Sequence, residues 1–203
     1  MSALDHITIK GYKSIRELDF DLRPLNVFIG PNGAGKSNLI GVFELLNQIV
    51  RSNLQVFVGT AGGADTLLYF GRKTTEFIDL KLTFFAQTGQ EHLRNGYHCQ
   101  LIPTQEDAVI FNIEEFWFHD RQVDPTKPYI IGLSAGHRET RLFEASAPQS
   151  PYRNIAKYII AAMKSWRVYH FHDTSATAKI KFPGDIEDNV DLRDDASNLA
   201  AFL

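Results

Sequence analysis

The chain carries a single cysteine, Cys99, among 203 residues, which excludes an internal disulfide and fits a reducing compartment. It has no surplus of basic charge either. Its 21 Lys and Arg stand against 24 Asp and Glu, a formal balance of −3, so no overall positive field advertises a nucleic acid, although a local basic groove is compatible with that balance. No apolar run approaches the roughly 20 residues of a membrane-spanning helix. The opening Met1-Ser2-Ala3-Leu4-Asp5-His6 lacks the basic-then-apolar order of a secretory signal. Low-complexity tracts and internal repeats are missing as well. These absences predict a soluble, cytoplasmic protein with no membrane partner. The 44% hydrophobic content is enough for one sizeable core or two small ones.

What is present concentrates around residues 25–50. Gly30-Pro31-Asn32-Gly33-Ala34-Gly35-Lys36-Ser37 satisfies the P-loop (Walker A) pattern G-x-x-x-x-G-K-[ST] at every fixed position. Leu25-Asn26-Val27-Phe28-Ile29 before it reads as a buried strand. After it, Leu39, Ile40, Val42, Phe43, Leu45, Leu46, Ile49 and Val50 give the broad apolar face of a largely buried helix over 38–50. Strand, glycine-rich turn and helix is the context this motif requires. Three glycines let the backbone curl so that successive N–H groups point inward at a phosphate, and the helix dipole adds to that cradle. Lys36 is expected to reach the β- and γ-phosphates as a point charge, with the Ser37 hydroxyl ligating Mg²⁺. The motif selects a nucleoside triphosphate; it chooses neither the base nor the reaction.

Upstream, Leu4 to Lys10 alternates as a strand, Gly11-Tyr12-Lys13-Ser14 is a turn, and Leu18, Phe20 and Leu22 alternate with Asp19, Asp21 and Arg23 as a second strand ended by Pro24. Downstream, Gly59 to Ala64 is a glycine-rich loop with no Lys-Ser/Thr, hence no second P-loop, and Arg72-Lys73 reads as a solvated pair. Three further strands, Phe77 to Phe85, Tyr97 to Ile102 and Ala108 to Phe118, are joined by short loops and predict an antiparallel meander. The aromatics Phe111, Phe116, Trp117 and Phe118 read as core, because Asn112, Glu114 and Glu115 do not supply the cations of a base-stacking platform. Ile155 to Trp166 has helical spacing, Arg167 to Phe171 reads as a strand, and Ser197 or Asn198 is placed to cap a last helix. His170 and His172 share a strand face ahead of Asp173. With no third ligand at a recognisable spacing, they read as structural rather than as a zinc site.

Gly-Tyr-Lys-Ser-Ile ahead of Gly-Pro-Asn-Gly-Ala-Gly-Lys-Ser-Asn-Leu-Ile resembles the start of ABC-type ATPase heads of the RecF, SMC and OLD kind, and of the bacterial predicted-ATPase group with an AAA-like domain. Tyr12-Lys13-Ser14, Asn32-Gly33 and Ser37-Asn38 carry the likeness, with weaker echoes in 166–175 and 198–202. The resemblance implies an α/β P-loop NTPase of ABC-ATPase type, a mixed sheet with a P-loop helix plus an antiparallel β-subdomain, incomplete at the C-terminus. On that plan 1–55 holds strands and the P-loop helix, 65–135 the β-rich subdomain, and 150–203 a helix, a strand and the start of a truncated helix. It implies ATP and Mg²⁺ as ligands, with Gly30, Asn32, Gly33, Ala34, Gly35, Lys36, Ser37, Asn38 and Lys13 at the nucleotide, Lys36 catalytic and Ser37 on the metal. It would allow Tyr12 near the adenine, against which a core tyrosine is the favoured reading, and makes Gln149 the best-placed of several glutamines to sense Mg²⁺.

Leu133-Ser134-Ala135-Gly136-His137 looks like the family's Leu-Ser-Gly-Gly-Gln signature, but no apolar strand ending in Asp-Glu follows it, and it reads as a decoy. That gap predicts the N-terminal portion of a longer ATPase, which binds nucleotide and dimerises around it in DNA repair or phage defence, with hydrolysis needing a missing half. A homodimer or that half is the expected partner, and DNA is allowed but not demanded by charge. The alternatives are a nucleotide-regulated interaction module without turnover, or a kinase or GTPase. Thr126-Lys127-Pro128-Tyr129 lacks the Asp of a guanine-reading motif, and no Arg-rich kinase lid is evident.

Overall fold

Period-two alternation builds most of this molecule, a computed structural model. It describes residues 4–85, 90, 92–169, 185, 187–193 and 197–202. Strand β1 (Leu4–Tyr12) turns through Lys13 and Ser14 into β2 (Ile15–Asp21), and the meander β3 (Ile78–Phe85), β4 (Leu93–Pro103), β5 (Val109–Asp120) and β6 (Tyr129–Gly132) follows. All six join in one antiparallel sheet, in the order β2-β1-β3-β4-β5-β6. Register places one face indoors. The row Phe20, Ile7, Leu82, Tyr97, Phe116, Ile131 crosses all six strands, and Leu18, Ile9, Leu80, Cys99, Glu114 runs beside it. Most of these side chains are fully buried, and burial pushes the Cys99 thiol well above its ordinary pKa.

The opposite face is polar. Its central row is Asp19, Thr8, Lys81, His98, Glu115. His98 sits with one ring nitrogen 3.0 Å from Asp79 and the other 2.9 Å from Glu115. His6 is placed the same way between Asp21 and Asp19. An imidazole facing a carboxylate at both nitrogens satisfies both contacts only as the cation, which donates twice.

Helices cover the apolar face. α1 (Lys36–Ile49) buries Leu39, Val42, Leu45, Leu46 and Ile49, in line with its apolar spacing. α5 (Arg153–Lys164) buries Ala156, Ile159, Ile160 and Met163 and packs on α1, β4 and β5. Three short helices were not legible as such: α2 (Leu54–Thr60), α3 (Ala64–Leu67) and α4 (Leu142–Ala145). The α2 sequence, rich in β-branched and aromatic residues, is helical because the Glu139 carboxylate accepts from the N–H groups of Leu54 and Gln55, each at 3.0 Å. Arg72, expected in solvent, instead ties the loop after α3 to the β4–β5 turn. It donates to Asp65 and to the Thr104 carbonyl and pairs with Asp107.

The largest departure lies at 25–29. Leu25 to Ile29 joins no strand, and Leu25, Val27, Phe28 and Ile29 are 80%, 72%, 50% and 93% exposed. A run apolar on both faces folds as a buried strand only with neighbours on both edges. Among the described residues β2 ends the sheet, and the run's one recorded ring contact is Phe28 edge-on to Phe20 at 5.7 Å.

The chain separates into two units, Met1–Ser165 and Trp166–Leu203. In the second, Arg167 to Tyr169 forms no strand, and α6 (Leu199–Phe202) is short. Asn198 does not cap that helix with its side chain. Its amide donates to the Asp188 and Asp191 carbonyls and accepts from the Arg193 N–H, closing the preceding turn on itself. His170, His172 and Asp173 lie outside the described residues. No helix among the described residues is long and apolar enough to cross a membrane.

Candidate nucleotide-binding site

Glycine conformation shapes the site. Gly33 and Gly35 have φ of +85° and +87°, left-handed values that other residues adopt at a cost of about 1–2 kcal/mol. Gly35 is also the cap of α1, and no side chain caps that end. The first intrahelical bond is Leu39 N–H to the Gly35 carbonyl. The N–H groups of Lys36, Ser37 and Asn38 therefore open the helix without intrahelical partners, and no acidic residue occupies the first turn. This is a concentrated set of donors at a positive dipole end, built for an anion.

Lys36 lies folded over that loop. Its Nζ donates to the carbonyls of Gly30 at 2.6 Å and Pro31 at 2.8 Å. The ammonium is thereby held above the curl that residues 30–35 describe. Ala34 closes the curl by donating its N–H to the Pro31 carbonyl. Asn32 and Ser37 are exposed. Ser37 offers one hard oxygen beside the open helix end. Among the described residues no group of three or more His, Cys, Asp or Glu could hold a metal. The donor set fits Mg²⁺ only as a companion to phosphate oxygens, with Ser37 as the protein ligand.

The β1–β2 turn buttresses the loop. Asn38 Nδ2 donates to Ser14 Oγ at 2.7 Å, and a Cβ on Gly35 would lie 3.0 Å from that same oxygen. The Asn38 side chain is thus tied to the hairpin, while its N–H stays at the open end of α1. Lys13 occupies the turn with φ +47° and donates its N–H to the Leu67 carbonyl, while its ammonium sits 5.5 Å from the Tyr12 ring centroid. The turn brings Lys13 beside the loop, with its ammonium on that ring.

Tyr12 is the core tyrosine that its sequence favoured over a base contact. Gly11 at φ +73° breaks the strand alternation, and Tyr12 is wholly buried with its hydroxyl donating to the Gly41 carbonyl of α1 at 3.2 Å. Burial pushes its phenol well above the usual range. It packs against the helix and has no face left for a base.

Gln149 is exposed in the turn after α4. Leu133 to His137 opens no helix. Ser134 and Gly136 take φ of +71° and +82°, and the segment lies along β5, with Leu133 N–H on the Glu114 carbonyl and Gly136 N–H on the Phe111 carbonyl. Glu114, fully buried, fixes it from below. Its carboxylate accepts from Tyr97 Oη at 2.8 Å, His137 Nε2 at 2.8 Å and the Arg141 N–H at 2.9 Å, and from Thr140 Oγ1. Sequence reasoning missed this carboxylate; an acidic residue in register with Ile9, Leu80 and Cys99 was its one signal.

The family described as "AAA ATPase domain" matches residues 3–133. A curated relative, the DNA replication and repair protein RecF of Lactobacillus acidophilus, is 45% identical over 44 residues, 21% of this chain and 12% of that protein's length. The chain therefore spans a small part of that relative. A solved structure from work on "ATP-driven dimerization and DNA stimulated activation of SMC ATPases" superposes with a TM-score of 0.41 at 16% identity, covering 80% of each chain.

Proposed function

From the premise that this chain belongs to the AAA ATPase domain family, whose profile covers residues 3–133, we propose that it binds ATP through Gly30–Ser37. The supporting observation is the left-handed Gly33–Gly35 turn running into the uncapped start of α1, with the Lys36 ammonium poised over it. The phosphates take the N–H groups that open α1, and Lys36 exchanges the Gly30 and Pro31 carbonyls for phosphate oxygens. Lys13 approaches from the hairpin turn, and Ser37 is the side chain that would hold Mg²⁺. When bound, that ion neutralises phosphate charge.

The wider role follows the likeness of the first 50 residues to RecF- and SMC-type heads: nucleotide-dependent dimerisation serving DNA repair or defence. RecF's own name points the same way. Hydrolysis by this chain alone is not part of the proposal. The sequence has no apolar strand closed by Asp-Glu to position water, and phosphoryl transfer is catalysed almost entirely by such positioning and charge stabilisation.

One experiment covers both halves, namely ATP titration and steady-state hydrolysis for the wild type and Lys36→Ala. The expected outcome is binding by the wild type, its loss in the variant with an unchanged unfolding midpoint, and background turnover in both. Equal titration curves would refute the site. Robust turnover that depends on Lys36 would refute the division between binding and hydrolysis.

A further inference from the structure

The polar face of the sheet carries a hollow that the phosphate loop does not use. Lys10 pairs with Glu17 across β1 and β2, two residues along from the Thr8–Asp19 pair. Period two puts both pairs on one face, the side opposite α1. Beside Lys10 and Glu17 lies a cavity of about 520 Å³ whose other walls include Arg16, Tyr69, Glu76 and Phe77. That volume suits a small organic molecule.

Backbone bonds hold this hollow open in advance of any ligand. β3 pairs with β1 as far as Lys10–Asp79. Beyond it the 67–69 segment takes over, with Lys13 N–H on the Leu67 carbonyl and Tyr69 N–H on the Gly11 carbonyl. Residues 70–77 must loop back between these two partners. Gly71 donates to the Leu68 carbonyl, and Thr74 and Thr75 both donate to the Gly71 carbonyl. The Thr75 hydroxyl donates to the Tyr69 carbonyl at 2.6 Å. A Cβ on Gly11 would stand 2.3 Å from the Phe77 carbonyl, so glycine alone lets the returning chain lie against β1. Phe70, exposed at φ +54°, meets the Tyr69 ring edge-on at 4.6 Å. A bulky residue keeps that backbone only where its surroundings impose it.

The charges in the wall leave a remainder. Lys10 and Glu17 neutralise each other at 2.8 Å. Arg16 and Glu76 are exposed, and neither has a hydrogen bond or ion pair among the described residues. One cation and one anion therefore stand uncommitted beside two aromatic rings. A guanidinium takes a carboxylate, a carboxylate takes an ammonium, and ring faces take a flat apolar body. A simple anion would meet Glu76, and a simple cation would meet Arg16. We propose that the cavity binds a zwitterionic aromatic α-amino acid, its carboxylate on Arg16, its ammonium on Glu76 and its ring against Tyr69 and Phe77. The site is separate from the phosphate loop and does not depend on the nucleotide reading.

The test is calorimetric titration with L-phenylalanine, L-tyrosine and L-tryptophan. Each is compared with its N-acetyl derivative, which lacks the ammonium, and its amide, which lacks the carboxylate. Saturable binding of at least one free amino acid is expected, weakened about 10-fold or more in both derivatives, because each forfeits a charge-assisted hydrogen bond. Arg16→Ala and Glu76→Gln should weaken the free amino acid by a similar factor, and Phe77→Leu by about 2- to 10-fold. All three positions are exposed, and unchanged urea midpoints will show that the variants fold. Lys36→Ala should lose ATP and keep the amino acid. The site would be overturned by no saturable binding, by a derivative that binds as well as its parent, or by unchanged affinity in Arg16→Ala and Glu76→Gln. Loss of amino-acid binding in Lys36→Ala would overturn its separation from the phosphate loop.

Discussion

Replacing Glu114 with alanine removes the acceptor of four donors at once: Tyr97 Oη, Thr140 Oγ1, His137 Nε2 and the Arg141 N–H. Each orphaned buried donor costs about 1–3 kcal/mol, so the simple sum exceeds what the change can deliver. Two effects reduce it: water enters the space left by the carboxylate, and the desolvation penalty of the buried charge disappears. With water taking up part of the four orphaned donors, the expected loss is about 3–5 kcal/mol, below the simple sum. Set against a total of about 5–15 kcal/mol for a domain, it is a large fraction. With m near 2 kcal/mol/M, the urea midpoint should fall by about 1.5–2.5 M. Glu114→Gln is the discriminating control. Its oxygen still serves Tyr97 and Thr140, and His137 can shift its proton to Nδ1, which has no partner among the described residues, so that Nε2 accepts from the new amide. Only the Arg141 N–H loses its acceptor, at about 1–3 kcal/mol. Equal midpoints for wild type and Glu114→Ala would refute the reasoning, and so would a glutamine variant as weak as the alanine one.

Two further outcomes follow from the geometry. Burial alone would depress the His98 imidazole, but its hydrogen bonds to Asp79 and Glu115 outweigh that and raise its pKa above 6.5, while Asp79 is held low by the same contact against its own burial. The stabilisation it gives is complete below pH 6.5 and is lost as pH climbs through the raised native value; urea midpoints across that range should fall, and His98→Gln should flatten the slope. Gly35→Ala forces a side chain into φ +87° beside Ser14 Oγ; ATP affinity, read by titration, should drop about 10-fold or more.

The sheet was legible because Ile7, Ile9, Leu80, Leu82, Tyr97 and Cys99 alternate with polar residues, and a half-buried sheet demands that alternation. The P-loop helix was legible for a similar reason: eight apolar side chains recur at helical spacing. What escaped depends on contacts far apart in sequence. Helix α2 is held by Glu139, 84 and 85 residues away, and nothing within Leu54–Thr60 announces it. Strand β6 has four residues, too few for a period. Tyr12 reaches the core because one glycine with a left-handed φ reverses which way the next side chain points. At the site, the phosphate loop was written in a contiguous motif, whereas its buttress, Ser14 against Asn38, forms only once the hairpin has folded onto the start of α1.

The uncovered run Leu25–Ile29 has a practical consequence. Among the described residues it joins no strand and carries four exposed apolar side chains, which makes it a template for strand pairing. Copies of this chain should meet through it as concentration rises, and the residue that follows the run is Gly30, whose carbonyl holds Lys36. Nucleotide affinity is therefore expected to vary with protein concentration, because whatever stiffens residues 25–29 also fixes one wall of the phosphate cradle.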